Sequence, residues 1–279
     1  KVKVFGADGS FIRNLGKKGQ GPGEFRTPAG LFIEKDGTIS VFDLANGRMT
    51  GFSSEGAFIR ELDLRSLGQF VAPEAESDEA FYGIRMDMEG RNLLTMELVR
   101  FDKKTRTVSV LSKAGSTNTL PKQEPLLDRF ILRTRSDGGR IWCYTKNYEL
   151  FLESPSGQRT RTITHKSPRL RVTEADKDKM IKMMFPGKTQ VPNDIELVWP
   201  EYYSPVLNMV LDDRDWLYVK TFEKDEAGRS KYDVFDAGGV YRGSFHSDRS
   251  IHCIKKGRCY VSTEDEDGNP VIERYVVTP

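Results

Sequence analysis

Long apolar runs are missing from this chain, and no stretch approaches the roughly eighteen residues that cross a bilayer as a helix. Cysteine and histidine are scarce, three of each. An odd number of cysteines excludes a fully paired internal disulfide framework. Three histidines, His165, His246 and His252, leave little material for the His-rich ligand set of a catalytic zinc site, and no metal or other cofactor is expected. Charge of one sign is also lacking: 43 Lys and Arg stand against 41 Asp and Glu. Both signs are interspersed, as in Lys255-Lys256 and Glu264-Asp265-Glu266-Asp267, so the chain lacks the basic face of a dedicated nucleic-acid binder. No Gly-x-Ser-x-Gly elbow occurs. Gly16 to Gly23 has the gap of a phosphate loop, but Pro22-Gly23 replaces Lys-Ser/Thr and a strand pattern follows, so a tight linker fits better.

What is present is turn chemistry and β-pattern. The 25 Gly and 13 Pro accompany 37% hydrophobic residues, a globular and turn-rich mixture rather than a disordered one. All-β architectures of this length often form a single unit, and one domain over residues 1–279 is expected.

Self-similarity is the main signal. An apolar strand ending in Phe, a short turn and a second strand recur at Val4-Phe5-Gly6-Ala7-Asp8-Gly9-Ser10-Phe11 and at Gly51-Phe52-Ser53-Ser54-Glu55-Gly56-Ala57-Phe58. Looser copies lie at Val99 to Lys104, Leu150 to Gly157, Val234 to Tyr241 and Arg274 to Val276. Phe5, Phe52, Phe101 and Phe151 are spaced by 47, 49 and 50 residues. The step to Phe235 is 84, which predicts an insertion, placed at 166–203. Between the markers lies a second hairpin. Leu31 to Val41 alternates around Asp36-Gly37, a strong short-range hairpin cue. Its relatives are Ile84 to Met96 around Glu89-Gly90, Ile131 to Cys143 around Asp137-Gly138, Met209 to Val219 around Asp213-Arg214-Asp215, and Ile251 to Val261 around Lys256-Gly257.

Two hairpins per period make a four-stranded antiparallel sheet with two apolar faces. Radial stacking covers both, so the expected fold is an all-β β-propeller. The sequence opens at the third strand of one blade and ends at the third strand of the last. Six blades are therefore expected, the first completed by an upstream segment of a few tens of residues. Five blades, with the N-terminal hairpin completing the last one, is the alternative.

The segment Gly16-Lys17-Lys18-Gly19-Gln20-Gly21-Pro22-Gly23-Glu24-Phe25, with Pro28-Ala29-Gly30-Leu31 and then Asp36-Gly37-Thr38-Ile39-Ser40-Val41-Phe42-Asp43, Asn46-Gly47-Arg48-Met49 and Phe52, resembles the NHL repeat. The match covers residues 16 to 62, and later periods carry it only weakly. The whole resembles the bacterial six-bladed propellers related to NHL proteins. That resemblance implies a ring-shaped binding scaffold. Its relatives bind proteins or RNA, serve as extracellular sensors or, in one lineage, act as metal-dependent lyases, and fold does not choose among these.

Candidate site residues sit mainly around the insertion. Thr173-Glu174-Ala175-Asp176 reads as a capped helix start, continued through Met180, Ile181, Met184 and Phe185 and ended by Pro186-Gly187. Trp199, Tyr202 and Tyr203 follow, either packing the insertion down or facing a ligand as aromatic anchors. Lys146, Tyr148, His246 and Arg249 are placed on the same face by loop parity. Asp43, Asn46 and Arg48 suit a structural corner in which Asp43 pairs with Arg48. Cys253 and Cys259 are aligned across a hairpin on its buried side, as free thiols or as a cross-strand disulfide.

The function expected is non-catalytic: recognition of a peptide, protein or glycan-like ligand on one face, by a monomer outside the cytoplasm. A lyase or hydrolase with its site at the channel mouth, and an RNA-binding NHL-type domain, are the alternatives.

Overall fold

A computed structural model describes residues 1–34, 36–76, 79–89, 93–116, 121–187 and 190–277. Contacts group them into two compact units, Lys1–Thr119 and Leu120–Pro279.

The first unit opens with a hairpin of β1 (Val2–Phe5) and β2 (Phe11–Leu15). A linker follows in which β3 (Lys17–Lys18) pairs parallel with β4 (Glu24–Phe25). The antiparallel sheet β5 (Pro28–Ile33), β6 (Ile39–Asp43), β7 (Arg48–Phe52) and β8 (Phe58–Asp63) comes next. Another is formed by β9 (Gln69–Glu76), β10 (Ala80–Glu89), β11 (Leu93–Asp102) and β12 (Val108–Ser116).

The strand period of two decides how these sheets stack. Neighbouring residues Val41 and Phe42 on β6 point to opposite faces. Val41 joins Phe25, Phe52 and Val2 in one buried cluster, and Phe42 joins Met49, Phe70, Phe81, Val99 and Phe101 in another. One sheet thus feeds two cores, the property that favours face-to-face stacking. The first strands β5 and β9 run side by side, so closely that a Cβ on Gly30 would lie 2.2 Å from the Pro73 ring.

The linker explains the glycine-rich motif. The buried Arg48 guanidinium donates to the carbonyls of Gly21 (2.7 Å) and Glu24 (2.8 Å) and pairs with Glu61 at 2.7 Å. Asp43, fully buried, accepts from the backbone N–H of Arg26 and Thr27 and from Asn46 Nδ2 at 2.7 Å. Asp43 and Arg48 are register partners, but each binds the linker rather than the other. The corner is structural, with different pairing from that expected.

One hairpin is reassigned. Ile84 and Met96 lie on β10 and β11, the second and third strands of their sheet, and Met96 shares β11 with Phe101. The first strand is β9, whose Pro73 and twice-shifted register hide its alternation. Proline is tolerated there because β9 is the edge of the sheet. Gly90, in the expected turn, lies outside the described residues.

In the second unit β13 (Lys122–Gln123) leads to the sheet β14 (Phe130–Thr134), β15 (Arg140–Tyr144), β16 (Glu149–Glu153) and β17 (Arg159–Thr164). The insertion follows, with α1 (Glu174–Met184) and β18 (Glu196–Leu197), the latter parallel to β13. Next come the sheet β19 (Asn208–Leu211), β20 (Leu217–Lys224), β21 (Ser230–Phe235) and β22 (Tyr241–Ser247), and the three strands β23 (Ser250–Lys255), β24 (Arg258–Glu264) and β25 (Pro270–Val276). Alternation repeats: Met209, Leu217, Val219 and Phe235 pack against Ile131, Cys143 and Leu150, whereas Val210, Tyr218 and Tyr232 pack against Ile251, Ile254 and Val261.

The expected alignment of Cys253 with Cys259 fails because of a bulge. Between Ile251 and Cys253 the register slips, so that Cys253 opposes Tyr260 and Ile254 opposes Cys259. The bulge lets Ile251 and Ile254 both turn inward. Cys259 is buried, Cys253 is exposed, and neither of them nor Cys143 is in a disulfide.

Candidate functional site

The two ends of the insertion are joined to each other by a short antiparallel ladder. Val172 N–H donates to the Glu201 carbonyl at 3.1 Å and Tyr203 N–H to the Leu170 carbonyl at 2.9 Å. Helix α1 begins as the sequence predicts. Thr173 accepts from the Asp176 N–H while Asp176 accepts from the Thr173 N–H, a reciprocal capping box. Its apolar residues Met180, Ile181, Met184 and Phe185 are only half-buried, so the helix lies shallowly on the sheets.

Beside this ladder is a cleft of about 600 Å³. The loop joining β15 to β16 contributes Lys146 and Tyr148, His165 follows β17 at the start of the insertion, and the insertion itself contributes Lys166, Arg169 and Tyr202, with Tyr203 behind. Of the residues selected from sequence, Lys146, Tyr148, Tyr202 and Tyr203 converge here. Trp199, His246 and Arg249 are not brought to it. Trp199 is half-buried elsewhere in the insertion, and His246 is exposed on β22 opposite Lys231. Arg249 turns toward the last sheet, donating to Thr263 Oγ1 at 2.7 Å and pairing with Glu273 at 3.5 Å.

The cleft floor rests on a buried carboxylate that sequence reading did not select. Asp233 on β21 is fully buried. The Tyr148 hydroxyl donates to its Oδ2 at 2.9 Å, and His165 Nε2 lies 3.9 Å from the same oxygen. Oδ1 accepts no hydrogen bond and has the Lys231 ammonium at 3.5 Å. Burial, reinforced by the Asp233 charge, pushes the Tyr148 phenol far above the ordinary tyrosine range. Burial works against the Lys231 charge, yet Asp233 and Glu223 outweigh it and hold that ammonium above its usual range. The chain of contacts continues, with Lys231 3.2 Å from Glu223 and Ser167 Oγ donating to Glu223 at 3.1 Å. His165 is clamped flat against Tyr241, with ring centroids 4.8 Å apart. A parity clue to Asp233 existed: it shares its strand face with Phe235, a core residue, where an apolar side chain belongs.

The walls differ in how they are packed. Tyr203 stacks on Phe222 at 4.5 Å, and burial together with its hydrogen bond to Asp176 pushes its phenol up to about 12. Tyr202 instead presents its ring to the guanidinium groups of Arg169 (4.9 Å) and Arg171 (5.5 Å), and Arg171 is paired with Glu201 at 3.1 Å. Lys146, Lys166 and Arg169 are exposed on the rim. Chemically, the cleft offers a ring face, several cations and a rigid polar floor. Among the described residues no three of His, Cys, Asp and Glu converge as a metal-ligand set, and no helix is long and apolar enough to cross a membrane.

Comparison with known proteins agrees with this architecture. A family model, DUF5128, described as a 6-bladed beta-propeller, matches residues 1–123. Human E3 ubiquitin-protein ligase TRIM32 is 25% identical over 151 residues, 48% of this chain, which spans only 22% of that relative's length. A Bacteroides fragilis protein classed provisionally as exported superposes with a TM-score of 0.55 at 11% identity, covering 94% of this chain and 73% of that one. A member of the DUF4221 family from Bacteroides vulgatus gives a TM-score of 0.51 at 11% identity, covering 99% and 86%. Together with the two-faced stacking of its sheets, these likenesses identify the chain as an all-β propeller.

Proposed function

We propose that residues 1–279 form one non-catalytic binding propeller, bacterial and NHL-like, that works as a monomer outside the cytoplasm. Its ligand is a peptide, protein or glycan-like molecule held in the cleft beside the insertion. The observation that carries this reading is the convergence of Lys146, Tyr148, Tyr202 and Tyr203 on one cavity of about 600 Å³, within the range of ligand sites. A loop module on a rigid sheet scaffold is where binding residues gather. The Tyr202 face and the rim cations Lys146 and Arg169 are the contacts assigned to the ligand, and Tyr203, stacked on Phe222, supports them. Placement outside the cytoplasm is supported by the likeness to the Bacteroides fragilis protein classed provisionally as exported.

The test is binding to an array of immobilised glycans and an array of synthetic peptides by the unmodified chain and by Tyr202→Ala with Lys146→Ala. Captured spots that the double variant loses, at unchanged thermal stability, support the reading. Equal capture by both proteins refutes it. Retention on polyribonucleotide that falls steeply with salt favours the RNA-binding alternative instead. The enzymatic alternative is favoured by one observation, His165 lining the cleft within 3.9 Å of buried Asp233. It requires turnover of a captured ligand that His165→Ala abolishes.

A further inference from the structure

On the far side of Tyr203 lies a second groove, of about 390 Å³, between α1 and the strands β20 and β21. Met180 and Met183 of the helix, with Leu207 and Phe222, give it an apolar wall. Met183 is 69% exposed, a large apolar side chain left in water beside this wall. Three ammonium groups line the same groove: Lys179 from the helix, and Lys220 and Lys224 from β20. Among the described residues none of the three lies within 4.0 Å of a carboxylate oxygen, although the Lys224 charge is felt by Asp176. Lys220 is half-buried, hydrogen-bonds Ser250 Oγ at 3.0 Å and sits 5.9 Å from the Tyr232 ring centre. Burial, and then the nearby Lys224 charge, hold the Lys220 ammonium below the ordinary lysine range. The acid in the groove, Asp176, is hydrogen-bonded to the helix cap and to Tyr203, and the Lys224 charge is the least of the influences on it.

Like charges crowded beside a desolvating wall raise the energy of the free protein, and a bound anion relieves that cost. A plain anion would leave the methionines wet. We propose that this groove binds an anionic amphiphile, its carboxylate or phosphate head held by Lys220 and Lys224 and its apolar chain laid along Met180, Met183 and Phe222. The head is the part shared by a lipid and a free anion, and the chain separates them. The site is distinct from the cleft beside Tyr202, so either assignment stands or falls without the other.

The experiment is isothermal titration of the whole chain with dodecanoate below its micelle concentration, with dodecanol and inorganic phosphate as comparison probes. Dodecanoate should saturate at one per chain, with the other two at least about tenfold weaker. Lys220→Gln and Lys224→Gln should each weaken it by about tenfold, the size of one lost charged hydrogen bond. Lys179→Gln and Met183→Ser, both at exposed positions, should weaken it several-fold without disturbing the fold. Tyr202→Ala should leave it unchanged. Dodecanol binding as tightly as dodecanoate overturns the proposal, as does phosphate binding as tightly, an absence of saturation, or indifference to all of the lysine substitutions.

Discussion

Removing one hydroxyl tests how the cleft floor is held. Tyr148→Phe deletes the 2.9 Å hydrogen bond to Asp233 Oδ2 and little else. The carboxylate left behind is fully buried, with Lys231 at 3.5 Å and His165 at 3.9 Å, both beyond good hydrogen-bonding distance. A hydrogen bond to a charged group contributes about 1.5–3 kcal/mol, and an orphaned buried acceptor keeps its desolvation cost. The expected loss is about 2 kcal/mol, a fall in Tm of roughly 4–8 °C for a chain of this size. Urea unfolding of four proteins measures it: the unmodified chain, Tyr148→Phe, Asp233→Leu and the double variant. Once Asp233 is apolar the hydroxyl has no acceptor to satisfy, so Tyr148→Phe should cost little on that background, giving a coupling above about 1 kcal/mol. Equal losses in both backgrounds, or a single-variant loss within about 0.5 kcal/mol, refute the reasoning.

Gly30→Val should destabilise the first unit by at least about 1–3 kcal/mol in denaturant titration, because the new Cβ meets the Pro73 ring at 2.2 Å and a proline ring has no rotamer to yield. Thr173→Ala removes half of a reciprocal cap, and amide exchange over Glu174–Met184 should quicken by about fivefold, for roughly 1 kcal/mol, with the β-sheet amides unaffected. Asp102 is held down to about 2 by backbone N–H donation from Thr105 and by Arg100. Its stabilisation is complete above the ordinary value of 3.8 and is lost as pH falls through about 2, so Asp102→Asn should flatten acid unfolding in that window. A thiol reagent should label one cysteine in the native protein and three in denaturant, and Cys253→Ser should remove the native signal.

Much of the fold was legible because its cues are local. Asp137-Gly138 and Lys256-Gly257 turn where the alternation says, with positive φ at Gly138, Lys256 and Gly257. The cap at Thr173 also needs only neighbours three residues away. Legibility failed where one residue altered the count or where the partner was distant. The bulge before Cys253 slips the register by one position and sends that thiol outward while Ile254 turns in. Pro73 and its flanking glutamates masked β9, so its hairpin was read one strand too late. Asp233 meets Tyr148 from 85 residues away, a pairing no local window contains. The same distance explains why Tyr148 was selected from its loop position and Asp233 was not, though together they build the floor.

The insertion leaves after the edge strand β17 and rejoins the fold at the edge strand β19, so the ladders of these two sheets do not pass through it, and its β18 pairs only with β13. Its lengthening or exchange would break no rung of either flanking sheet and would expose few of the residues in their shared core. Residues 166–203 should therefore tolerate exchange with both sheets left intact, and under the proposed binding role such an exchange should alter which ligand is held.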